Sequence, residues 1–451
     1  MTDASKKQPF DPLRRALSGG IAGLAAAVSI APLHARASPK NDSDDVEAAW
    51  VPRRDRNGEI LAASWAALPV NSWVEVAETS PVPILAKKIV ANGFPVAPPF
   101  PSMSSLEGHV EGSFKAWVSG ALDNERGRFY VPWGGGHGDG ALNGVWRLDL
   151  PRMEWNIQKM PSHPRAPGFE WTEKYVRSRS WTQYRNEAGE RWDVADTGSH
   201  DALPDGRPTS RHQYEGVVFD SARNCVMQHR LGRWSLDIEK NVETCERFEG
   251  SGFVPGKDST DQRCYFDSRT KDVFAGSIKL SDYWGFYRIT PGMRIRRLAS
   301  APKGYHFHAA IGGRIVDREI LFIGMGSRGK TYEPHWSVYD IDRDRWHVGK
   351  LADWPEGMRA ETMQAMEWIP DVGKLLYWDR KSWTFHWITP GRWTIEPASF
   401  GGKNPPPATY AGHKFFYWPA RKLVVAALGV VNGAPGSSRG VRSNVYVMRV
   451  A

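Results

Sequence analysis

The chain has 451 residues, 41% hydrophobic and 24% charged, with a formal net charge of +9, enough to bury a substantial core. Its 21 tryptophans, 44 glycines and 32 prolines, with little long helical periodicity, point to an all-β fold of short aromatic strands between turns. Cys225, Cys245 and Cys264 allow at most one disulfide, which excludes a disulfide scaffold; they read best as small buried hydrophobes.

Residues 1–37 read as an export leader. A polar start ends in "PLRRAL", residues 16–33 carry no charge, and Ala35-Arg36-Ala37 offers a small-residue cleavage site before Ser38. Arg14, Arg15 and Leu17 resemble a twin-arginine (Tat) leader, although Pro12 and Ser18 depart from its usual flanks. The apolar stretch is too weak and glycine-rich for a membrane helix. Removing the leader leaves 54 Lys and Arg against 48 Asp and Glu, a charge of +6 with the cations dispersed, so no nucleic-acid arm is expected. A periplasmic or secreted monomer with no membrane attachment after cleavage is the expectation.

Residues 38–69 are charged and poor in strand signal, and read as a linker. From residue 70 the chain repeats. "VWRLDLPRMEW" (145–155) and "SVYDIDRDRW" (337–346) share a hydrophobic pair, an Asp, a turn and a closing Trp, with Leu148 to Trp155 matching Tyr339 to Trp346. Residues 284–298 and 385–397 are variants with a Pro-Gly turn. A second kind of hairpin precedes each, centred on Tyr130, Met227, Phe274, Phe322, Tyr377 and Val425. Four of the five steps between these centres lie near 48 residues, and four strands per unit at that period is the signature of a propeller blade.

Strand, double glycine, loop, aromatic-x-Asp strand, turn and tryptophan resembles the kelch repeat found in the central domain of galactose oxidase. The resemblance covers 70–451 and implies a kelch-type β-propeller; it says little about activity, since the fold hosts many. The first step is twice the period, so 156–208 is a divergent blade or a long insertion, and six blades with an insertion is the preferred count over seven. "NSWVEVA" (71–77) supplies the tryptophan strand that the last blade lacks. It is expected to pair with the strand holding Tyr446, closing the ring, with Trp73 in the part of Trp155 and Trp346.

In a propeller the 2–3 loops, and the loops leading into each first strand, open on one face around the channel. The residues placed there include His137, Asp139, Asn143, Arg211, His212 and Arg263. Further round come Tyr305, His306, Arg328, Arg359, Glu361, Tyr410 and His413. Arg forks suit a carboxylate, and His or Tyr can move a proton, so an acidic saccharide is the expected ligand, with eliminative cleavage as the chemistry such a set could perform. His137, His212, His306 and Tyr305 are the catalytic candidates. The ordinary role of any one of them is to satisfy loop backbone and solvate the mouth. A non-catalytic interaction module, with 156–208 as its contact surface, is the first alternative.

No cofactor is required by the sequence. His306 and His308 on one strand face are a usable pair for a divalent metal, with His137, His212 or His413 as third ligand, so a metal-dependent oxidase or hydrolase is the second alternative. The two tyrosines, two histidines and crosslinked cysteine of a copper radical oxidase find no match. In "VPWGGGHGDG" (131–140) no P-loop lysine follows and no helix begins; Gly134 and Gly135 read as the end of a strand, leaving His137 and Asp139 as the part the fold does not explain.

Overall fold

A computed structural model describes residues 49–96, 102–115, 118–135, 142–162, 170–171, 183–185, 191–193, 205–208, 210, 213, 215–229, 232–247, 262–277, 286–300, 302, 312–325, 334–356, 358, 365–379, 384–406, 408, 411–431 and 441–451. Six antiparallel sheets form a six-bladed β-propeller, each blade a meander of neighbouring strands.

Blade I is Ala121–Asp123, Arg128–Pro132, Val145–Asp149 and Glu154–Lys159. Blade II is Val217–Asp220, Cys225–His229, Gly232–Asp237 and Val242–Arg247. Blade III is Gln262–Phe266, Val273–Ser277, Phe286–Ile289 and Ile295–Arg297. Blade IV is Gly312–Val316, Glu319–Met325, Pro334–Asp340 and Arg345–Lys350. Blade V is Ala365–Ile369, Lys374–Asp379, Thr384–Thr389 and Thr394–Ala398. Blade VI takes Phe415–Trp418, Leu423–Ala426 and Tyr446–Arg449 from the end of the described chain and Ser72–Glu75, β1, from its beginning.

Side-chain chemistry explains why these stretches become strands and where they stop. Each blade packs against a neighbour on both faces, so second strands such as Leu423–Ala426 are buried at every position and read as continuous apolar runs, without the alternation of a half-exposed strand. The aspartates of the repeat end strands by folding their carboxylates over the following amides. Asp123 Oδ1 accepts from the N–H groups of Glu125 and Arg126, and Asp220, Asp237 and Asp340 do the same for the amides two and three residues on. The same turns end on residues in the left-handed region, among them Asn224, Asn241 and Gly127.

Six hydrophobic clusters form the core of the described residues, one between each pair of adjacent blades. Fourth-strand tryptophans of one blade fill the cluster shared with the blade before it. Trp155 of blade I packs with Phe416 and Trp418 of blade VI, and Trp346 of blade IV with Phe274 and Phe286 of blade III. Trp73 occupies the same place in blade VI. It is fully buried and stacks on Phe385 of blade V at 5.4 Å between centroids. β1 pairs antiparallel with Tyr446–Arg449, Trp73 opposite Met448 and Glu75 opposite Tyr446, which closes the ring as the tryptophan pattern required.

The sequence reading passed over two helices between β1 and blade I. α1, Pro81–Ala91, begins with Pro at its first turn and buries Val82, Leu85, Ala86 and Ile89; α2, Met103–Gly112, is capped by the Ser102 side chain accepting from the Ser105 N–H. Both add to the cluster between blades VI and I. The stretch 49–69, read as part of a linker, is packed structure: the short helix Ala62–Ala66 buries Trp65, and Ile60 and Leu68 join the same cluster.

Among the described residues, the 156–208 region adds no seventh four-stranded sheet. Its described part is a small sheet of Glu170–Trp171, Gln183–Arg185 and Arg191–Asp193, separate from the six. Its two ends are fastened to the ring. Asn143 donates to Ser162 Oγ (2.9 Å) and to the Pro208 carbonyl (2.8 Å), and its own oxygen accepts from the Ser162 N–H (2.7 Å). Arg207 forks onto Glu243 of blade II at 2.6 and 3.1 Å, and the Trp133 indole donates to the same carboxylate at 2.8 Å.

Candidate functional site

The first strands of successive blades are neighbours around the axis, so their side chains are the ones that can line a channel. A cavity of about 440 Å³ lies there, with Leu122, Phe219, Tyr265, Arg314, Glu367 and Phe416 contributed by blades I to VI in turn. One rim is formed by the turns after the first strands, with Asn124 and Glu125 of blade I, Ser221 of blade II and Ser268 of blade III. That volume lies in the range of small-molecule sites, and mostly apolar walls with a few convergent polar groups are the usual composition of one.

Besides Asp123 and the rim residues, the polar groups fall in two sets. Arg314 Nε donates to Glu367 Oε2 at 3.0 Å, and the N–H of Trp368 donates to Oε1 at 3.2 Å. Both side chains are mostly buried, at 13% and 15% exposure. Burial pushes the Glu367 carboxyl above its ordinary pKa, and the Arg314 guanidinium works against that rise without cancelling it. On the wall formed by blade III, the Tyr265 hydroxyl donates to Glu215 Oε2 at 3.4 Å, and its ring meets His413 edge-on at 6.5 Å between centroids. Glu215, just before blade II, is buried and its carbonyl accepts from the Cys264 N–H at 2.9 Å. The Cys264 thiol is fully buried and pushed well above its ordinary pKa by that burial, which makes it a poor nucleophile.

His413 sits in the 3₁₀ turn Gly412–Lys414 that leads into the first strand of blade VI. Its neighbour Lys414 is buried, and its ammonium donates to the Phe114 carbonyl at 2.8 Å, just beyond the C-terminus of α2. A cation at that end of a helix meets the negative end of its dipole. Burial nonetheless brings the Lys414 pKa down to about 7.

Of the residues expected at the mouth, His413 lines the channel. Arg263 lies on the first strand of blade III, opposite Gly276. Asn143 is buried, with its amide engaged by Ser162 and Pro208 at the base of the insertion. His137, Asp139, Arg211, His212, Tyr305, His306, Arg328, Arg359, Glu361 and Tyr410 lie outside the described residues, as does His308. Among the described residues no group of three or more His, Cys, Asp or Glu is placed to hold a metal ion. Sequence reasoning searched the loops and missed Arg314, Glu367, Tyr265 and Glu215. The signal available was a charged residue inside an otherwise apolar first strand, as in "GGRIVD" and "QAMEWIP".

No known protein family and no curated protein matches the chain. Solved structures align with the chain at low identity and low TM-score. One is described as a luciferin-regenerating enzyme, at 11% identity and a TM-score of 0.39, covering 74% of this chain and 92% of that one. Another is a xyloglucanase from Xanthomonas campestris, at 13% identity and a TM-score of 0.36, covering 64% of this chain and 38% of that one. A nidogen/laminin complex matches at 10% identity and a TM-score of 0.35, over 63% of this chain and 80% of that one.

The channel residues offer a guanidinium that can fork onto a carboxylate, a carboxyl whose pKa is raised, and a tyrosine and a histidine in edge-on ring contact on the same cavity.

Proposed function

We propose that this is an exported kelch-type propeller whose channel binds a small carboxylated ligand, an acidic saccharide. The observation that carries the proposal is Arg314, mostly buried on the first strand of blade IV, in a cavity of about 440 Å³ that Tyr265 and His413 also line. A buried guanidinium recognises a planar carboxylate, and the aromatic walls offer faces for a sugar ring. If the ligand is also cleaved, β-elimination is the step this set suits. Arg314 would lower the cost of charge on the uronate carboxylate while Tyr265 or His413 removes the α-proton; the glycosidic C–O bond at the β-carbon breaks as the double bond forms, and the departing oxygen takes a proton from solvent. The leader at 1–37 supports a periplasmic or secreted location, and among the described residues no helix is long and apolar enough to cross a membrane.

Titration calorimetry with glucuronate tests binding: saturable heat in the wild type, weakened at least tenfold by Arg314→Met, is the expected result, a loss of about 1.4 kcal/mol or more. Incubation with uronate polymers tests cleavage by the rise in ultraviolet absorbance of an unsaturated product, abolished by His413→Gln or Tyr265→Phe. Changing Arg211, His212 or His306 extends the same test to the other mouth residues. Absence of glucuronate binding sinks the proposal.

One observation favours a second reading as a non-catalytic interaction module. The 156–208 insertion is fastened at both ends, through Asn143 and through Arg207 with Glu243, so it is held on the ring at a fixed base. In that case its removal would abolish partner binding and leave the channel's ligand affinity intact.

A further inference from the structure

We infer that a carboxylate entering the channel takes Arg314 from Glu367, and that Glu367 gives up the pair as a neutral acid, so that one proton enters the protein with each ligand. The inference rests on the reading of the channel as a carboxylate site and states how that site discriminates. Arg314 and Glu367 occupy the third positions of the first strands of blades IV and V, and their contact is made through Nε and Oε2 inside the cavity. A ligand carboxylate on the same guanidinium would put two negative charges on one cation. The surrounding walls include Phe219, Ile315, Phe415 and Phe416, which screen little. Two carboxylates at such a place cannot both stay ionised cheaply, and the one with the raised pKa takes the proton.

The elements packed against the strand of Glu367 carry these ionisable groups. Blade IV offers Arg314; blade VI offers Tyr417, which is bonded to Asp371, and, in the turn before it, His413 and Lys414, the latter with its ammonium bonded to the Phe114 carbonyl. Blade III offers Tyr265, bonded to Glu215, and Asp379 lies further along blade V. Burial raises the Glu367 carboxyl before any ligand arrives, and losing Arg314 to a competitor raises it further. Charge balances: the ligand brings one negative charge, and the proton that joins Glu367 comes from solvent. A neutral sugar leaves the Arg314–Glu367 pair intact and takes up no proton, so acidification favours the acidic ligand alone.

The test is calorimetry of the full chain with glucuronate, at fixed pH, in two buffers of different ionisation enthalpy. The expected result is uptake of about one proton per ligand, with affinity falling about tenfold per pH unit between the Glu367 pKa of the empty channel and that of the occupied one. Glu367→Gln keeps an acceptor for Arg314 Nε and is expected to bind glucuronate without proton uptake and with a flat pH dependence. Zero uptake in the wild type overturns the inference. So does uptake that survives in Glu367→Gln, which would assign the proton to His413 or another group. No binding heat in either protein fails differently: it removes the carboxylate site itself, and the inference with it.

Discussion

Replacing Trp73 tests whether the ring is held shut by this one side chain. The indole is fully buried and stacked on Phe385 at 26° between planes, with Phe415 and Phe400 at 6.1 and 6.5 Å. Burying an indole removes ~200–250 Å² from water, worth about 5–6 kcal/mol at ~25 cal/mol per Å². Trp73→Ala should therefore cost about 3–5 kcal/mol, the usual range for emptying an aromatic site. Phenylalanine makes a sharper comparison. Trp73 Nε1 has no hydrogen-bond partner among the described residues, so Trp73→Phe loses contact area alone, about 1–2 kcal/mol. At the equivalent places the indoles are bonded: Trp155 donates to the Thr79 carbonyl at 3.0 Å and Trp346 to the Ala299 carbonyl at 2.7 Å. Trp155→Phe and Trp346→Phe should each cost about 1 kcal/mol more than Trp73→Phe, because each strands a carbonyl. Equilibrium denaturation of the four proteins in guanidinium chloride measures this. Equal losses for the three Phe variants, or a loss below about 1 kcal/mol for Trp73→Ala, would refute the reasoning.

Lys414 should make stability depend on pH. Its folded pKa, about 7, lies below the unfolded value of about 10.4. Across that window the unfolded chain carries a proton that the native chain lacks, so stability should rise with pH, by up to about 1.4 kcal/mol per unit, and the rise should vanish in Lys414→Met. Gly134→Ala would place a Cβ 2.5 Å from the Ser113 carbonyl oxygen and 2.7 Å from Val118 Cγ1, and should cost about 1–3 kcal/mol, read as a lowered melting temperature. Arg207→Ala leaves the buried Glu243 carboxylate held by the Trp133 indole without its cation and should cost about 3 kcal/mol. Much of that should return in the Arg207→Ala, Glu243→Gln double variant, measured by the same melting curves.

The features legible in the sequence are those set by neighbours in the chain. Turn aspartates such as Asp123 and Asp340, and apolar runs such as Leu423–Ala426, act locally, so blades could be counted and β1 recognised as the missing fourth strand. The stripe of Val82, Leu85, Ala86 and Ile89 behind Pro81 is an equally local signal, for a helix. The channel pair was a different matter. Arg314 and Glu367 meet only because two blades set the same strand position against each other, a fact of register that appears once the blades are aligned residue by residue. Asn143 lies between the second and third strands of blade I, and its amide bonds join the two ends of the insertion, a contact between distant residues.

The pairing of Trp73 with Met448 also bears on the order in which the molecule assembles. The strands of blades I to V are each joined to their partners through connections within their own blade, whereas β1 finds Tyr446–Arg449 across almost the whole described chain and also pairs in parallel with Gly401–Gly402. In an unfolded chain, joining these ends costs about 5 kcal/mol of loop entropy, against about 1 kcal/mol for a four-residue turn. Local blades can form first and bring the ends together at lower cost, so the last pairing in space is also the last in time. The bond between β1 and Tyr446–Arg449 is thus the step at which a row of folded hairpins becomes a closed ring, and the natural first point of opening when it unfolds.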